Sequence, residues 1–221
     1  MIASELINYL IPPLKLSDDG HKAIVWMEEL RTNQLPVVSK SKFLGFLSED
    51  VIMEENDSTR NVEDYELFAQ NCFVYESQHF YDVIKVASEH DVQLVAVLNE
   101  KGNFEGVIAI EDTIAAFAQS TAVQVPGAII VISMNQQDYS LAEISRLVEG
   151  EKAQILSSCI TNDLMDGSKV KLTLKINRSD LSDISATFER FGYKIIGRFQ
   201  EAEIKSNEQD RYDMLMKYLD I

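Results

Sequence analysis

The stretch GVIAIEDT, Gly106–Thr113, decides how this chain is read, because a second version of it, GFLSEDVI, stands at Gly45–Ile52. Each is a glycine, a short apolar run of strand character, and acidic residues where a helix begins. A turn made twice points to a repeated structural unit. Laying AIVWMEELRTNQLPVV (Ala23–Val38) over DVIKVASEHDVQLVAV (Asp82–Val97) extends the repeat: Gln34 falls on Gln93 and Leu35 on Leu94, an offset of 59. Ile24, Met27 and Leu30 keep the spacing of a helix packed on one side, and Val83 and Val86 continue it in the second copy. The runs QLPVV and QLVAVL then read as strands. The turns SKSK (Ser39–Lys42) and NEKGN (Asn99–Asn103), the second read as two residues longer, lead to FLGFL and FEGVIAI and to helices starting near Glu49 and Glu111. Each copy is strand, helix, strand, hairpin, strand, helix. Between them EENDSTRNVEDYE, Glu54–Glu66, is polar and reads as a mobile linker.

A third unit follows Pro126. GAIIVISM reads as a strand, LAEISRLVE as a helix with Leu141, Ile144, Leu147 and Val148 apolar, and AQILSSCIT as a second strand. KVKLTLKI alternates strictly, with Val170, Leu172, Leu174 and Ile176 on one face and lysines on the other, as in an antiparallel strand solvated on one side. LSDISATFERF is a helix ended by Gly192, and YKIIGRF a last strand. The βαββαβ order implies a ferredoxin-like antiparallel four-stranded sheet with two helices on one face. The fold class is therefore α+β. Residues 1–125 hold the repeat pair (about 11–54 and 70–120) and 126–199 the βαββαβ domain. A C-terminal amphipathic helix at 200–221 carries the stripe Tyr212, Leu215, Met216 and Leu219.

Charge narrows the partners. Of 36 acidic and 20 basic residues, 21 acidic and only 8 basic lie before Pro126, so most of the formal net charge of -16 belongs to the repeat pair. Such a surface repels nucleic acid and anionic membranes. The longest apolar runs, such as AIIVI at Ala128–Ile132, are too short to span a bilayer, and no signal peptide is visible, so a cytoplasmic location is expected. Cys72 and Cys159 stand far apart without metal-ligand spacing, and both are expected to be buried as small hydrophobes. The three histidines form no ligand pair, so neither a metal site nor a cofactor is expected. No G-x-S-x-G, phosphate loop or Cys/His nucleophile arrangement points to an enzyme.

The doubled unit resembles the CBS motif, which occurs as tandem pairs. The residues that carry the resemblance are the strand-helix-strand-strand-helix order, NQLPVV before the hairpin, and the G-x-x-[ST]-x-x-D turn from strand to helix, over about Ile11–Ser120. The βαββαβ unit resembles an ACT domain over about Pro126–Phe199, and the whole is similar to bacterial CBS-pair proteins described as acetoin-utilisation-like. The resemblance implies a regulatory module without catalysis. Its CBS pair would sense an adenine nucleotide or nucleoside-type metabolite through an aspartate that accepts the ribose hydroxyls. Tandem CBS units and ACT-like sheets commonly pair, so a homodimer is expected. A ligand-free dimerisation scaffold with degenerate sites is the alternative.

Neither turn is complete. In the first copy Gly45 and Ser48 match, but Val51 takes the aspartate position and Asp50 lies one residue early, about 100° away around the helix. In the second, Gly106 and Asp112 match while Ala109 replaces the hydroxyl residue. Ser48 reads equally as a helix cap, in a turn that approximates a capping box. Asp112 in a first helical turn gains about 0.3–1 kcal/mol from the helix dipole, whether or not it also binds ribose. Val74 and Ala96 are either adenine-pocket walls, as the resemblance implies, or plain core. Basic residues that would meet phosphates are few, namely Lys85, Lys101 and His79, which favours a nucleoside or mononucleotide over ATP. In the ACT-like unit, Asn135 and Asp138 of the loop MNQQDYS are weaker candidates, either for an amino-acid ligand or as helix caps. Tyr139 stands where the family's loop often has glycine.

Overall fold

The first copy of the repeat forms α1 (Gly20–Leu30), β1 (Gln34–Ser39), β2 (Lys42–Ser48) and α2 (Glu49–Glu55). The second forms β3 (Phe73–Tyr75), α3 (Phe80–His90), β4 (Leu94–Leu98), β5 (Phe104–Ala109) and α4 (Ile110–Ala118). The structure is a computed structural model and describes residues 1–200. It divides into two units, Met1–Phe117 and Ala118–Ile221. The amphipathic segment expected at the C-terminus, with its stripe from Tyr212 to Leu219, lies outside the described residues.

Cross-strand pairing sets the register of the repeat. Gln34 pairs with Ser48 as Leu94 pairs with Ala109, and Val37 pairs with Gly45 as Val97 pairs with Gly106. The offset is therefore 60 before the hairpin and 61 after it. The offset of 59 read from the shared Gln-Leu pair is one too small, and the second hairpin is one residue longer, not two. The slip has a cause. Gln34 sits at the place of Leu94, 3% exposed inside the core, and its Nε2 lies 3.5 Å from the Leu94 carbonyl across the interface of the copies. A polar residue at a core position shifted the apparent match.

The leading strand also differs between the copies. In the second it is β3, parallel to β4; in the first only one parallel bridge remains, Leu14 with Val37. Pro36 stands at the place of Ala96 and has no N–H for the bond that Ala96 donates to the Cys72 carbonyl in the second copy. The linker expected to be mobile is tied down instead. Gly20 and His21 N–H donate to the Arg60 and Ser58 carbonyls, Val62 N–H donates to Asp18 O, and Val62 is fully buried. Tyr65, 5% exposed, stacks under Arg60. Polar composition hid the two apolar anchors that fix the segment.

The second unit begins with the short helix α5 (Thr121–Gln124). It continues as β6 (Ala128–Asn135), α6 (Leu141–Gly150), β7 (Ile155–Asn162), β8 (Lys169–Ile176), α7 (Ser182–Arg190) and β9 (Lys194–Phe199). The sheet runs β7-β8-β6-β9, antiparallel throughout. Ala128, Ile130, Ile132 and Met134 of β6 join Val170, Leu172, Leu174 and Ile176 of β8 on the buried face, packed with Ile144, Val148, Ile184 and Phe188 of the two helices. The lysines of β8 lie on the other face, as strict alternation requires.

The cysteines part company here. Cys72 is fully buried, and loss of water around its thiol pushes its pKa up to about 12. Cys159, expected to be buried, is exposed, because it pairs with Thr173 on the face of the sheet that carries the β8 lysines. Since the thiolate is the reactive form, iodoacetamide at pH 8 is expected to label Cys159 and leave Cys72 unmodified in the native protein. Labelling of both at similar rates, followed by peptide mass spectrometry, would show that Cys72 is not shielded.

Candidate functional site

The two copies exchange their leading segments. Asn8, ahead of the first copy, donates its backbone N–H to Val107 O of β5 in the second at 2.8 Å. Phe68, ahead of the second copy, exchanges both backbone hydrogen bonds with Phe46 of β2 in the first, at 2.9 and 3.0 Å. The crossing explains the glycines of the doubled turn. A Cβ on Gly106 would lie 2.5 Å from Ile7 Cγ2, and one on Gly45 would lie 2.8 Å from the Phe68 carbonyl oxygen. Gly45 also has φ +144°, which side-chain-bearing residues rarely adopt. Each glycine is the place where the other copy's leader passes over the sheet.

Where the first leader crosses β5 it opens a cavity of about 430 Å³. Its walls come from four places: Asn8, Leu10 and Ile11 of the leader; Glu29–Thr32 at the end of α1; Val92–Leu94 at the end of α3; and Ala109–Asp112 of the turn into α4. Asp112 is at the mouth, and its Oδ2 accepts a hydrogen bond from Asn8 Nδ2 at 2.8 Å. Asn8 Oδ1 accepts from Leu10 N–H at 3.0 Å, which fixes which end of the amide faces the carboxylate. Among the described residues, three carboxylates, Glu29, Glu111 and Asp112, share this lining with a single base, Arg31. Arg31 is the left-handed residue that ends α1, with φ 54°.

The other sequence candidates lie elsewhere. Val74 and Ala96, the candidate walls of an adenine pocket, are both fully buried in the hydrophobic core, and neither is in this cavity's lining. Ser48 caps α2, its Oγ accepting from Val51 N–H at 3.3 Å. Asn135 Nδ2 donates to Asp138 Oδ2 at 2.8 Å, and both border a cavity of about 610 Å³ with Glu143, Lys169, Tyr193 and Lys194. The helix cap there is Ser140, which accepts from Glu143 N–H. His79 is exposed and caps α3 through Nδ1, while Lys85 is 71% exposed beside Glu89. Neither lines the cavity at Asp112, nor does Lys101. The polar residues that do, and that spacing did not single out, are Asn8, Glu29, Arg31 and Thr32. Among the described residues no cluster of His, Cys, Asp and Glu is placed to hold a metal ion, and no helix is long and apolar enough to cross a membrane.

No protein-family model matches the chain. Among solved structures, a CBS domain pair/ACT domain protein from Thermotoga maritima is similar at 18% identity and a TM-score of 0.50, over 54% of this chain and 98% of that one. A protein from Methanocaldococcus jannaschii is similar at 17% identity and a TM-score of 0.49, over 55% of this chain and 62% of that one. A CBS domain-containing protein from Bacillus anthracis is similar at 15% identity and a TM-score of 0.45, over 54% and 94%. Over about half its length, the chain has the fold of a CBS domain pair.

Proposed function

We propose that this protein is a non-catalytic regulatory module whose first unit, a CBS pair, binds an adenine nucleoside or mononucleotide in the cavity at Asp112. The observation that carries this is the arrangement itself: a carboxylate at a helix start, at the mouth of a cavity of about 430 Å³ whose Leu10, Ile11, Leu30, Val92, Leu94 and Ile110 offer apolar wall to a base. A ribose brings two adjacent hydroxyls, and a carboxylate is the side chain able to accept from both. The charge of the lining selects within the class. Arg31 can meet one phosphate, whereas a triphosphate would confront Glu29, Glu111 and Asp112 with no further base among the described residues of the lining.

The second unit, 126–199, fits an ACT-like domain in its strand order and in the helices packed on one face. Asn135 and Asp138 border its cavity and are the candidates there for an amino-acid ligand. A homodimer is part of the same proposal. Tyr81 and Ile84 of α3 and Ile114 and Phe117 of α4 are 42–64% exposed, an apolar helix face in an otherwise strongly acidic unit. Light scattering at tens of micromolar is expected to give twice the 25.0 kDa chain mass; a monomer at that concentration would remove the dimer.

One observation favours the scaffold alternative. Asp112 already has a protein partner in Asn8, and Ser48 is occupied as a cap, so both turns are satisfied without a ligand. A thermal-shift screen separates the two. Binding to the native state alone stabilises by about 2.7 kcal/mol at a hundred times Kd. Adenosine or AMP at millimolar concentration is therefore expected to raise the melting temperature by several degrees, and ATP by less. No shift with any of the three would leave the scaffold in place.

A further inference from the structure

Asn8 does more than hold a leader segment in place: we infer that it supplies the second half of the ribose-recognising pair, in the role that the hydroxyl missing at Ala109 would play. The inference rests on reading the Asp112 cavity as a nucleoside site. Its grounds are geometric. Asn8 and Asp112 are 104 residues apart, yet their side chains meet at 2.8 Å in the lining of one cavity. The amide orientation is fixed by Leu10 N–H on Oδ1, so Nδ2 faces the carboxylate. An amide nitrogen carries two N–H groups, and the contact with Asp112 Oδ2 uses one. What stands at the cavity is a donor, the remaining Asn8 N–H, next to an acceptor, Asp112 Oδ1. A vicinal diol matches that pair, one hydroxyl accepting from Asn8 while its neighbour donates to Asp112.

Comparison of the two copies supports the assignment. The positions equivalent to Asn8, Ala109 and Asp112 are Phe68, Ser48 and Val51, by the pairing of Asn8 with Val107 and Phe68 with Phe46 and the registers of the two hairpins. Where the leader residue is Phe68, the turn keeps its hydroxyl but has Val51 at the position of the carboxylate, and the hydroxyl is spent on capping. Where the leader residue is Asn8, the turn has the carboxylate and lacks the hydroxyl. The polar atoms lost from the turn at Ala109 are brought back by the leader of the other copy, so a complete site exists only because the leaders are exchanged.

The test is a ratio of affinities, because a merely structural role for Asn8 would weaken all ligands alike. Adenosine and 2′-deoxyadenosine are titrated by calorimetry into the full-length wild type, Asn8→Ala, and the double variant Asn8→Ala/Ala109→Ser. Wild type is expected to prefer adenosine. Asn8→Ala should cut that preference by about 3–10-fold, the size of one hydrogen bond, with the melting temperature measured alongside to confirm a native fold. Ala109→Ser should restore part of it. An undiminished preference in Asn8→Ala, with adenosine binding weakened about 10–100-fold in Asp112→Asn titrated in parallel, overturns the role of Asn8 and leaves the nucleoside reading standing. Equal binding of both ligands by wild type overturns the diol pair. Absence of any nucleoside binding by wild type overturns both readings.

Discussion

Gly45→Ala is expected to lower the melting temperature of the protein by about 10 °C or more. Two costs add. The φ of +144° is unfavourable for any side-chain-bearing residue, about 1–3 kcal/mol of backbone strain. The new Cβ would also lie 2.8 Å from the Phe68 carbonyl oxygen and 3.2 Å from Leu67 Cβ, so the exchanged leader must move to admit it. That carbonyl accepts the Phe46 N–H at 2.9 Å, and displacing it loosens the one antiparallel bridge joining the leader to β2. A total near 3 kcal/mol corresponds to about 10 °C on a unit of this size. Gly102→Ala is the comparison: its φ is +69°, but its nearest neighbour is Lys42 Nζ at 3.5 Å, so it pays strain without a clash. Calorimetric unfolding of the two variants should separate them clearly. Equal, small shifts would mean that the leader crossing does not depend on the bare glycine.

Asp112→Asn is expected to weaken adenosine binding by about 10–100-fold while leaving the fold intact. Hydrogen bonds to a charged group contribute about 1.5–3 kcal/mol, and the substitution keeps size and shape while removing the charge and one acceptor. Asp112 is exposed at the start of α4 and makes no ion pair among the described residues, so its contribution to stability is limited to the exposed Asn8 hydrogen bond and about 0.3–1 kcal/mol from the helix dipole. Ser48→Ala should behave in the opposite way. It removes the α2 cap, which costs about 0.5–2 kcal/mol of stability, and leaves nucleoside affinity unchanged. The pair of substitutions thus assigns the two copies of one sequence motif to different work, ligand contact in the second and helix capping in the first.

Much of this arrangement could be read from sequence, and the places where it could not have physical causes. The helices and strands of both copies follow from apolar spacing, and the alternation of KVKLTLKI states which face of β8 is buried. The doubled turn marks Gly45 and Gly106 as equivalent without saying why either is glycine; the reason is a crossing segment that no local pattern reveals. The offset slipped by one because a buried Gln34 imitates Gln93. The leading strand of the first copy is reduced to the bridge at Leu14, because Pro36 has no N–H for the ladder bond that Ala96 donates in the second copy. At the site, Asp112 was legible from its motif. Asn8 was not, since a short polar residue in a leader has no signature of its own, and only leader exchange brings it to Asp112. Arg31 escaped notice because a basic residue at a helix end is ordinary; its place in the lining is set by how the ends of α1 and α3 meet at one cavity.

The nucleoside site at Asp112 is tested most directly by calorimetric titration of adenosine, AMP and ATP into wild type, Asp112→Asn and Ser48→Ala. The expected result is binding of adenosine and AMP by wild type, weaker binding of ATP, loss in Asp112→Asn and retention in Ser48→Ala. Failure of wild type to bind any of the three at millimolar concentration, or loss confined to Ser48→Ala, would contradict it.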